Sequence, residues 1–484
     1  MQTRHCLSLT DSLDASREIR RRLEGIFGIV LVLVSSCAEA CVKSKVDEYV
    51  RTEMQWCSTV GLALAVMQEG RIASVRCYGL ANIEHQVPVK PETVFQSASV
   101  TKQFTATAVM MLVEDGKISL DDKITKFFIN APESWNGISV QHLLTHTSGM
   151  GFFQQDEDYT RTCTEEELLT KIMTIPLQFP PGEKYAYSNL GYVTLGLLIG
   201  KVTGGFYGDF LQERVFKPLG MSTARVISDA AIVPNRAAGY RFLNDKWENI
   251  PAYYPPIFST TADGGLLLSV YDMAKWDAAL YTEKLLKKSS LNEMWAPVET
   301  VDGKTHPYGF GWELGSVNGH PIVEHSGGVV GFKSHIARYP NQKLTVVVFA
   351  NSWVVPGKIA HRVASIYCPE LAPPVPVPIE DKEPSLTLLV RTLVQGLIEG
   401  KVNPELFTPE APRDYLSSIR AKELGERLKS LGELDSIELI SRTDYDTFGG
   451  RGVDYRLIFR KLVVICRLGV NKENQIFWRS ILPE

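Results

Sequence analysis

Three short motifs carry side chains whose types and spacing fit nucleophilic catalysis by a serine. The first is Ser99-Val100-Thr101-Lys102, where a spacing of i, i+3 on a helix places a hydroxyl and an amine on one face, close enough to exchange a proton. At a helix start the serine also meets the positive end of the helix dipole, which favours a developing anion. The amine acts as a base only when neutral, so Lys102 must be desolvated or lie near another cation.

The second motif is Tyr187-Ser188-Asn189, directly before an apolar helix that starts at Leu190. A phenol with a lowered pKa beside an amine can pass a proton to or from the serine and the leaving group. The alternative is a tyrosine at a helix entrance, with Ser188 or Asn189 as the helix cap.

The third motif is His325-Ser326-Gly327-Gly328, at the end of a predicted strand. Small residues let a substrate backbone lie along the strand edge, and the amide of Gly328 can donate to an oxyanion. The alternative is a hairpin turn that carries a surface histidine.

The elements that must position these motifs follow from the apolar patterning of the chain. Residues 61–68 and 72–80 predict a hairpin. Cys57 lies just before its first strand and Cys77 on its second, and whether the two form a disulfide after export stays open. Helical spacing predicts three helices, over 101–113, 140–144 and 190–202. Apolar and alternating runs predict four later strands, over 310–314, 322–325, 334–339 and 344–350. A sheet built from both chain ends around a helical middle is an α/β (α+β) fold.

The ordered motifs resemble the penicillin-binding-protein and class C β-lactamase serine hydrolases over about residues 45 to 365. Four phrases between the motifs are also typical of that family: His142-Leu143-Leu144-Thr145-His146-Thr147-Ser148-Gly149, Phe179-Pro180-Pro181-Gly182, Asp263-Gly264-Gly265-Leu266 and Tyr308-Gly309-Phe310-Gly311-Trp312. The resemblance implies an antiparallel sheet flanked by helices plus a helical subdomain, with the active site between them.

The same resemblance implies a role for each motif residue. Ser99 would attack a carbonyl, and Lys102 and Tyr187 would manage its proton. The amides of Ser99 and Gly328 would form the oxyanion hole, with Asn189, His325, Ser326 and Gly327 lining the substrate site. Water would then release the acyl group. The function expected is therefore hydrolysis of an amide or ester, such as a D-amino-acid peptide, a β-lactam or a small ester.

One departure from the family pattern bears on the substrate. Class C β-lactamases carry Lys where His325 stands, and a lysine is cationic at pH 7 and can hold a substrate carboxylate. A histidine of ordinary pKa is mostly neutral there. The departure weakens a β-lactamase function and is compatible with D-Ala-D-Ala carboxypeptidase-like or D-aminopeptidase-like members. If His325 helps only the neutral form of the site, activity should rise with pH through the imidazole titration and His325→Gln should mimic that effect.

Other kinds of site fit the sequence poorly, and no metal or cofactor is expected. His142 and His146 are four residues apart, as in a zinc protease, but the required Glu is Leu143. A Gly-x-Ser-x-Gly nucleophile elbow would need glycine at Glu324. Neither a dinucleotide fingerprint nor a phosphate-binding loop is present. The rival function is a catalytically silent sensor or binding protein that keeps the fold.

Composition and the chain ends predict the domain organisation of the 484 residues. The net charge of −4 makes nucleic acid an unsuitable partner, so a small molecule or peptide is expected. Residues 1–40 combine Arg20-Arg21-Arg22 with a short apolar run and small residues, which predicts a signal peptide and export to the periplasm or exterior. Cys37 lies in a lipobox-like segment, so a lipid anchor stays open, and no later segment approaches transmembrane length.

The remaining boundaries follow from proline content. We expect the hydrolase domain over 41–368, a Pro-rich linker over 369–384 and a small α+β domain over 385–484. That last domain weakly resembles NTF2-like modules. Its sequence predicts a helix over 386–399, helical stretches around 412–431 and strands near 437, 453–459 and 462–468.

Overall fold

The computed structural model describes residues 40–151, 164–228, 230–243, 246–250, 261–409, 411, 418–445 and 450–484. The segment with the signal-peptide and Cys37 predictions lies outside the described residues, apart from residue 40. Within the described ranges, none of the helices combines the length and apolar character that crossing a bilayer requires.

A seven-stranded antiparallel sheet forms the centre of the first domain, with strand order β11-β12-β13-β14-β1-β2-β3. Its strands are β1 (Gly61–Gln68), β2 (Arg71–Asn82), β3 (Val87–Pro88), β11 (Glu313–Val317), β12 (His320–Val329), β13 (Phe332–Tyr339) and β14 (Leu344–Ala350). β1 pairs with β14, with Leu62 opposite Ala350. The prediction that both chain ends build one sheet around a helical middle is therefore confirmed.

The hairpin β1–β2 forms where the sequence predicts it. Glu69 and Gly70 at its tip both have positive φ, of 53° and 72°, which matches the two-residue turn whose twist suits adjoining strands. Every residue of β14 is buried, because the sheet is covered on both faces. One face packs on the helical part of the domain and the other on two helices, α1 (40–57) and α10 (Pro356–Tyr367).

The helical part and smaller strands fill the chain between β3 and β11. The helices are α2 (Lys102–Glu114), α3 (Val140–Leu144), α4 (Glu165–Met173), α5 (Asn189–Thr203), α6 (Tyr207–Leu211), α7 (Lys217–Leu219), α8 (Val270–Ala279) and α9 (Lys288–Met294). The minor strands are β4 (Phe95–Gln96), β5 (Arg225–Val226), β6 (Gly239–Leu243), β7 (Lys246–Ile250), β8 (Leu266–Leu268), β9 (Val298–Glu299) and β10 (Thr305–His306). The fold class predicted from the sequence is confirmed.

Two sequence-derived bounds differ from the structure at the third motif. The strand predicted over 310–314 starts only at Glu313, since Gly311 has φ of +76° and leaves no room for a Cβ beside the backbone of Lys102. The strand predicted over 322–325 continues to Val329. The whole His325–Gly328 motif is thus strand, and the hairpin turn that was its alternative lies beyond it, before Phe332.

The second domain follows residues 372–383, which form neither helix nor strand. Its elements are α11 (Pro384–Ile398), α12 (Ser418–Ser430), β15 (Leu434–Tyr445), β16 (Gly450–Phe459), β17 (Val463–Val470) and β18 (Ile476–Pro483). The four strands form an antiparallel sheet in sequential order, with α11 and α12 packed on it. β18 was not predicted from the sequence, and residues 412–417 of the predicted helical stretch lie outside the described ranges.

The second domain packs on α1 of the first. Trp56 belongs to the hydrophobic core of the second domain, and its Nε1 donates to the carbonyl of Ile481 at 2.9 Å. Arg427 of α12 donates to the backbone carbonyl of Trp56 and, at 2.6 Å, to Ser58 Oγ. The domain limits and the NTF2-like resemblance stay predictions. Cys57 and Cys77 are both free thiols, so the structure does not pair them.

Candidate active site

Ser99 lies in a short 3-10 turn, Ala98–Thr101, that leads directly into α2. Its neighbours Ala98 and Val100 are buried, whereas Ser99 itself is partly exposed. Ala98 has φ of +47°, a conformation that costs energy for a residue with a side chain and persists only where the surroundings enforce it. The turn is therefore buried except at Ser99, which carries the hydroxyl.

Lys102 is fully buried and its amine is held by three acceptors. Its Nζ donates to Ser99 Oγ at 3.1 Å, to Asn189 Oδ1 at 2.9 Å and to the carbonyl of Asp263 at 2.8 Å. Burial lowers the pKa of Lys102 to about 8, and the charge of Asp263 opposes that shift. The requirement read from the sequence, a desolvated lysine beside the serine, is met in the structure.

Tyr187 lies against the same amine, with its ring centroid 4.9 Å from Lys102 Nζ. Burial raises the pKa of Tyr187 above its ordinary value, and a hydrogen bond with Ser99 only partly offsets this. The expectation of a phenol with a lowered pKa is therefore wrong. The charged form loses solvation in a site surrounded by other rings, so Tyr187 is a neutral phenol and of the two only Lys102 is tuned to act as a base.

A group of aromatic rings packs around Tyr187. The buried imidazole of His146 lies 4.2 Å from the Tyr187 ring, 5.1 Å from Tyr192 and 4.7 Å from Tyr308, measured between centroids. The backbone N–H of Ser188 donates to His146 Nδ1 at 3.0 Å, which fixes the ring. Burial and the charge of Lys102 lower the pKa of His146 well below its usual range. His146 is thus a neutral ring that packs on Tyr187 and holds it in position.

The third motif lies in the part of β12 that is paired on one side only. β11 pairs with β12 as far as Glu324, whereas β13 pairs with β12 to its end. Gly327 packs so closely on the turn that a Cβ there would clash with the carbonyl of Ser97 and approach the amide of Ser99. Glycine at 327 is therefore what lets this strand reach the serine.

His325 is buried and hydrogen-bonded at both ring nitrogens. Its Nδ1–H donates to the carbonyl of Ser326 at 2.7 Å, which leaves Nε2 as the acceptor of the Tyr308 hydroxyl at 3.0 Å. Burial, and after it the charge of Lys102, lowers the pKa of His325 to about 3. The imidazole is neutral at pH 7, as expected, but it does not titrate near 6.5. The rise of activity with pH that His325 was expected to cause stays a prediction, and the lowered pKa places any titration of this imidazole well below 6.5.

The remaining site residues of the sequence analysis are placed as follows. Asn189 lies at the start of α5 with its Oδ1 on Lys102. Gly328 lies opposite Lys333 on the exposed end of β12. Ser326 directs its hydroxyl to His335 Nδ1 at 2.8 Å, which is on the sheet face away from Ser99. The structure therefore brings Ser99, Lys102, Tyr187 and Asn189 together with His325 and Gly327, and separates the Ser326 side chain from them.

Sequence reasoning missed three groups that shape the site: the carbonyl of Asp263, the ring of His146 and the hydroxyl of Tyr308. Each lies in a phrase that the sequence shares with the serine hydrolases, so the phrases themselves were the signal. Their contacts join separate elements of the fold: Lys102 and Asp263 are 161 positions apart, His146 and Ser188 are 42 apart, and Tyr308 and His325 are 17 apart. No spacing rule within one helix or strand reaches that far.

The comparisons with known proteins agree with this geometry. The sequence profile of the family described as Beta-lactamase matches residues 46–365, which is more than half of the chain. The chain belongs to the beta-lactamase family. This match spans the sheet and the helical part and ends before the second domain.

Relatives of this beta-lactamase-family chain include a penicillin-binding protein and a D-aminopeptidase. Penicillin-binding protein 4* of Bacillus subtilis (strain 168) is 32% identical over 310 residues, which cover 60% of this chain and 68% of that protein. D-aminopeptidase of Gluconobacter oxydans (strain 621H) is 27% identical over 314 residues, which cover 60% of this chain and 55% of that protein. The chain thus spans little more than half of the D-aminopeptidase.

A solved structure shows the same fold as this beta-lactamase-family chain. A penicillin-binding protein from Bacillus halodurans superposes with a TM-score of 0.58 at 28% identity, covering 65% of this chain and 98% of that one. Family, relatives and fold together are consistent with hydrolysis through a serine acyl-enzyme.

Proposed function

We propose that this protein is a serine hydrolase that forms an acyl-enzyme on Ser99 and cleaves an amide or ester. The observation that carries the proposal is the Lys102 amine, fully buried, 3.1 Å from Ser99 Oγ and with a pKa of about 8. With that pKa about a tenth of the lysine is neutral at pH 7, which is enough to accept the serine proton in each cycle.

The chemistry follows from the contacts of the amine. Neutral Lys102 takes the proton of Ser99 as Oγ forms a bond to the substrate carbonyl carbon. The carbonyl oxygen becomes an oxyanion, for which the backbone amides of Ser99 and Gly328 are the proposed donors. The neutral Tyr187 hydroxyl, hydrogen-bonded to Ser99, passes a proton from Lys102 to the leaving nitrogen or oxygen as the carbonyl reforms. Water then attacks the acyl-enzyme by the same proton path in reverse.

The neutral His325 bears on the substrate. At this position it provides no fixed positive charge for a carboxylate, because its pKa is about 3. Amides and esters without an anionic group at that end are therefore the favoured substrates, and D-amino-acid amides are the first class to test, given the D-aminopeptidase relative. A substrate screen compares D-amino-acid amides, their L-enantiomers, short-chain esters and a chromogenic cephalosporin.

The decisive experiment is covalent labelling read by intact-protein mass. A fluorophosphonate probe should add one equivalent to the wild-type chain and none to Ser99→Ala. Turnover of an activated ester by Ser99→Ala should fall by about 10⁴-fold or more. Ser316→Ala, an exposed serine on β11, is the matched control and should label like the wild type.

Three outcomes would redirect the proposal. Ester turnover by Ser99→Ala at the wild-type rate removes Ser99 as the nucleophile. No adduct and no turnover in the wild type favours the silent sensor. If His325→Lys gains strong cephalosporin hydrolysis, the site is closer to a β-lactamase than to an aminopeptidase.

We also propose that the protein is exported. The support is the sequence of residues 20–40, in which three arginines precede a short apolar run and small residues. Expression of the full chain in a bacterial host, followed by N-terminal sequencing of the secreted or membrane fraction, tests this. A mature start near residue 37 or 41 supports export, and a start at Met1 in the cytoplasm refutes it.

A further inference from the structure

A second cluster of chemically capable side chains lies on the sheet face opposite Ser99. It consists of Glu324 on β12, His335 on β13 and His361 on α10, called here the Glu-His-His cluster. Glu324 Oε2 lies 3.0 Å from His335 Nε2 and 2.7 Å from His361 Nε2. The three ligand-type atoms all lie within 4.8 Å of one another. None of these residues has a role in the proposed hydrolysis.

We propose that the Glu-His-His cluster binds a Zn²⁺-class divalent cation through the Glu324 carboxylate and the two Nε2 atoms. A tetrahedral zinc with bonds of about 2.0 to 2.1 Å requires neighbouring ligand atoms about 3.3 Å apart. The separations of 3.0 and 2.7 Å to Glu324 are shorter than that value, so the ligand atoms must move apart by about 0.3 to 0.6 Å to admit the ion. Two histidines and one carboxylate with a free fourth position form a donor set that zinc uses in proteins.

The surroundings hold the ligands in place. The Ser326 hydroxyl lies 2.8 Å from His335 Nδ1, so it can accept the Nδ1 proton and leave Nε2 free for the metal, which is the outer hydrogen bond that metal-bound histidines usually make. Gly357, in the first turn of α10, packs on the same ring, where a Cβ would lie 3.2 Å from Cε1. The imidazole of His335 is thus fixed on two sides.

Burial and charge also suit a cation. The side chains of His335 and Glu324 are 3% and 18% exposed, whereas His361 is 36% exposed and leaves a path from solvent. Glu313 lies directly across the strand pair from Glu324, and burial together with the charge of Glu324 raises the pKa of Glu313 to about 7. In the absence of metal, the Nε2–H groups of the two histidines donate to Glu324. Binding the ion requires each neutral ring to carry its proton on Nδ1 instead, and in His335 this atom lies beside the Ser326 hydroxyl.

The proposed metal would join three elements around the third motif. It ties α10 to β12 and β13, and through His335 it fixes Ser326, the residue between His325 and Gly327. This inference does not depend on the proposed hydrolase function, because its readout is metal binding.

The test uses the untagged full-length chain, stripped with EDTA and exchanged into metal-free buffer. Equilibrium dialysis against ZnCl₂ with elemental analysis should give one zinc per chain, and competition with a chromophoric chelator gives its affinity. Zinc at a hundred times Kd should raise Tm by about 3 °C. Co²⁺ in place of zinc should show the visible bands of a four-coordinate site.

Variants locate the site. His361→Asn and Glu324→Gln should each weaken zinc binding by about 10-fold or more, and both keep a hydrogen-bonding group of similar size. The matched control is His320→Asn, on the same strand but paired with Gln342, which should bind zinc like the wild type. Circular dichroism in EDTA establishes that each variant is folded.

Two results would overturn the proposal. One is a folded wild type that takes up less than one zinc per chain at 100 μM. The other is stoichiometric binding whose affinity is the same in His361→Asn, Glu324→Gln and the wild type, since the ion would then be held elsewhere.

Discussion

The two faces of β12 place neighbouring residues in opposite chemical settings. On one face, His325 points to Tyr308 and the Ser99 site; on the other, Glu324 meets His335 and His361. His325 and His335 are both buried and burial lowers the pKa of both. The next influence differs: the cation Lys102 lowers the pKa of His325 further, whereas the carboxylate of Glu324 raises that of His335.

The difference shows that burial alone does not give a histidine its role. Near Lys102 the imidazole is held as a neutral hydrogen-bonding group, with a hydroxyl and a carbonyl as partners. Near Glu324 the imidazole of His335 lies beside a carboxylate, whose negative charge either a proton or a metal ion can compensate. The catalytic chemistry therefore belongs to one face, and four predictions test that separation.

The largest expected effect compares one lysine from each face. Lys102→Met should lower kcat/KM for an activated ester by about 10²- to 10⁴-fold, because the general base is lost. Lys358→Met, on α10 and paired with Glu53, should leave kcat/KM unchanged within about twofold. Steady-state kinetics of the two purified variants is the measurement. Equal losses in both would contradict the separation of the faces.

The next effect concerns stability and compares a buried ion pair from each face. Arg338 Nε donates to Asp277 at 2.8 Å with both side chains 1% exposed. Asp277→Ala should lower the free energy of unfolding by about 3 to 5 kcal/mol, because it leaves a buried charge without its partner. Glu53→Gln should cost about 1 kcal/mol, since Lys358 is partly exposed and keeps its bond to the Pro483 carbonyl.

Urea unfolding in EDTA measures both variants. If Asp277→Ala lowers the free energy of unfolding less than Glu53→Gln does, the Arg338–Asp277 pair is not the more desolvated of the two ion pairs.

The third effect is the pH dependence of hydrolysis. The folded pKa of Lys102 is lowered to about 8, and the neutral amine is the active form. Log kcat/KM for an uncharged ester should rise with a slope of about one per pH unit below pH 8 and level off above it. Rates of Ser99→Ala, subtracted at each pH, remove spontaneous ester hydrolysis. A single inflection near 6.5 would assign the control to a histidine instead.

The smallest effect tests His325 itself. His325→Gln should lower kcat/KM by less than about tenfold, because a neutral amide can still accept from Tyr308 and donate to a carbonyl. The pH profile should keep its inflection near 8, as the base is untouched. A loss comparable to that of Lys102→Met would make His325 a proton carrier and would remove the distinction drawn between the two residues.

Much of the fold and the main site residues could be predicted from the sequence. Periodicity located β1, α3 and β14, and local spacing placed Ser99 and Lys102 on one turn. These features depend on neighbours within a few residues, where backbone geometry dictates which side chains meet. The order of the three motifs then supported the family resemblance, which the comparisons confirmed.

The protonation of the site and the Glu-His-His cluster were decided only by tertiary structure. The expectation of an acidic Tyr187 and of a titrating His325 assumed ordinary solvation, which burial among Tyr192, Tyr308 and Lys102 removes. The Glu-His-His cluster likewise depends on tertiary structure: its residues lie 11 and 26 positions apart along the chain. They meet only because β12 pairs with β13 and α10 packs on that face of the sheet. Desolvation and long-range contact depend on the whole packed structure, whereas spacing along the sequence records only local geometry.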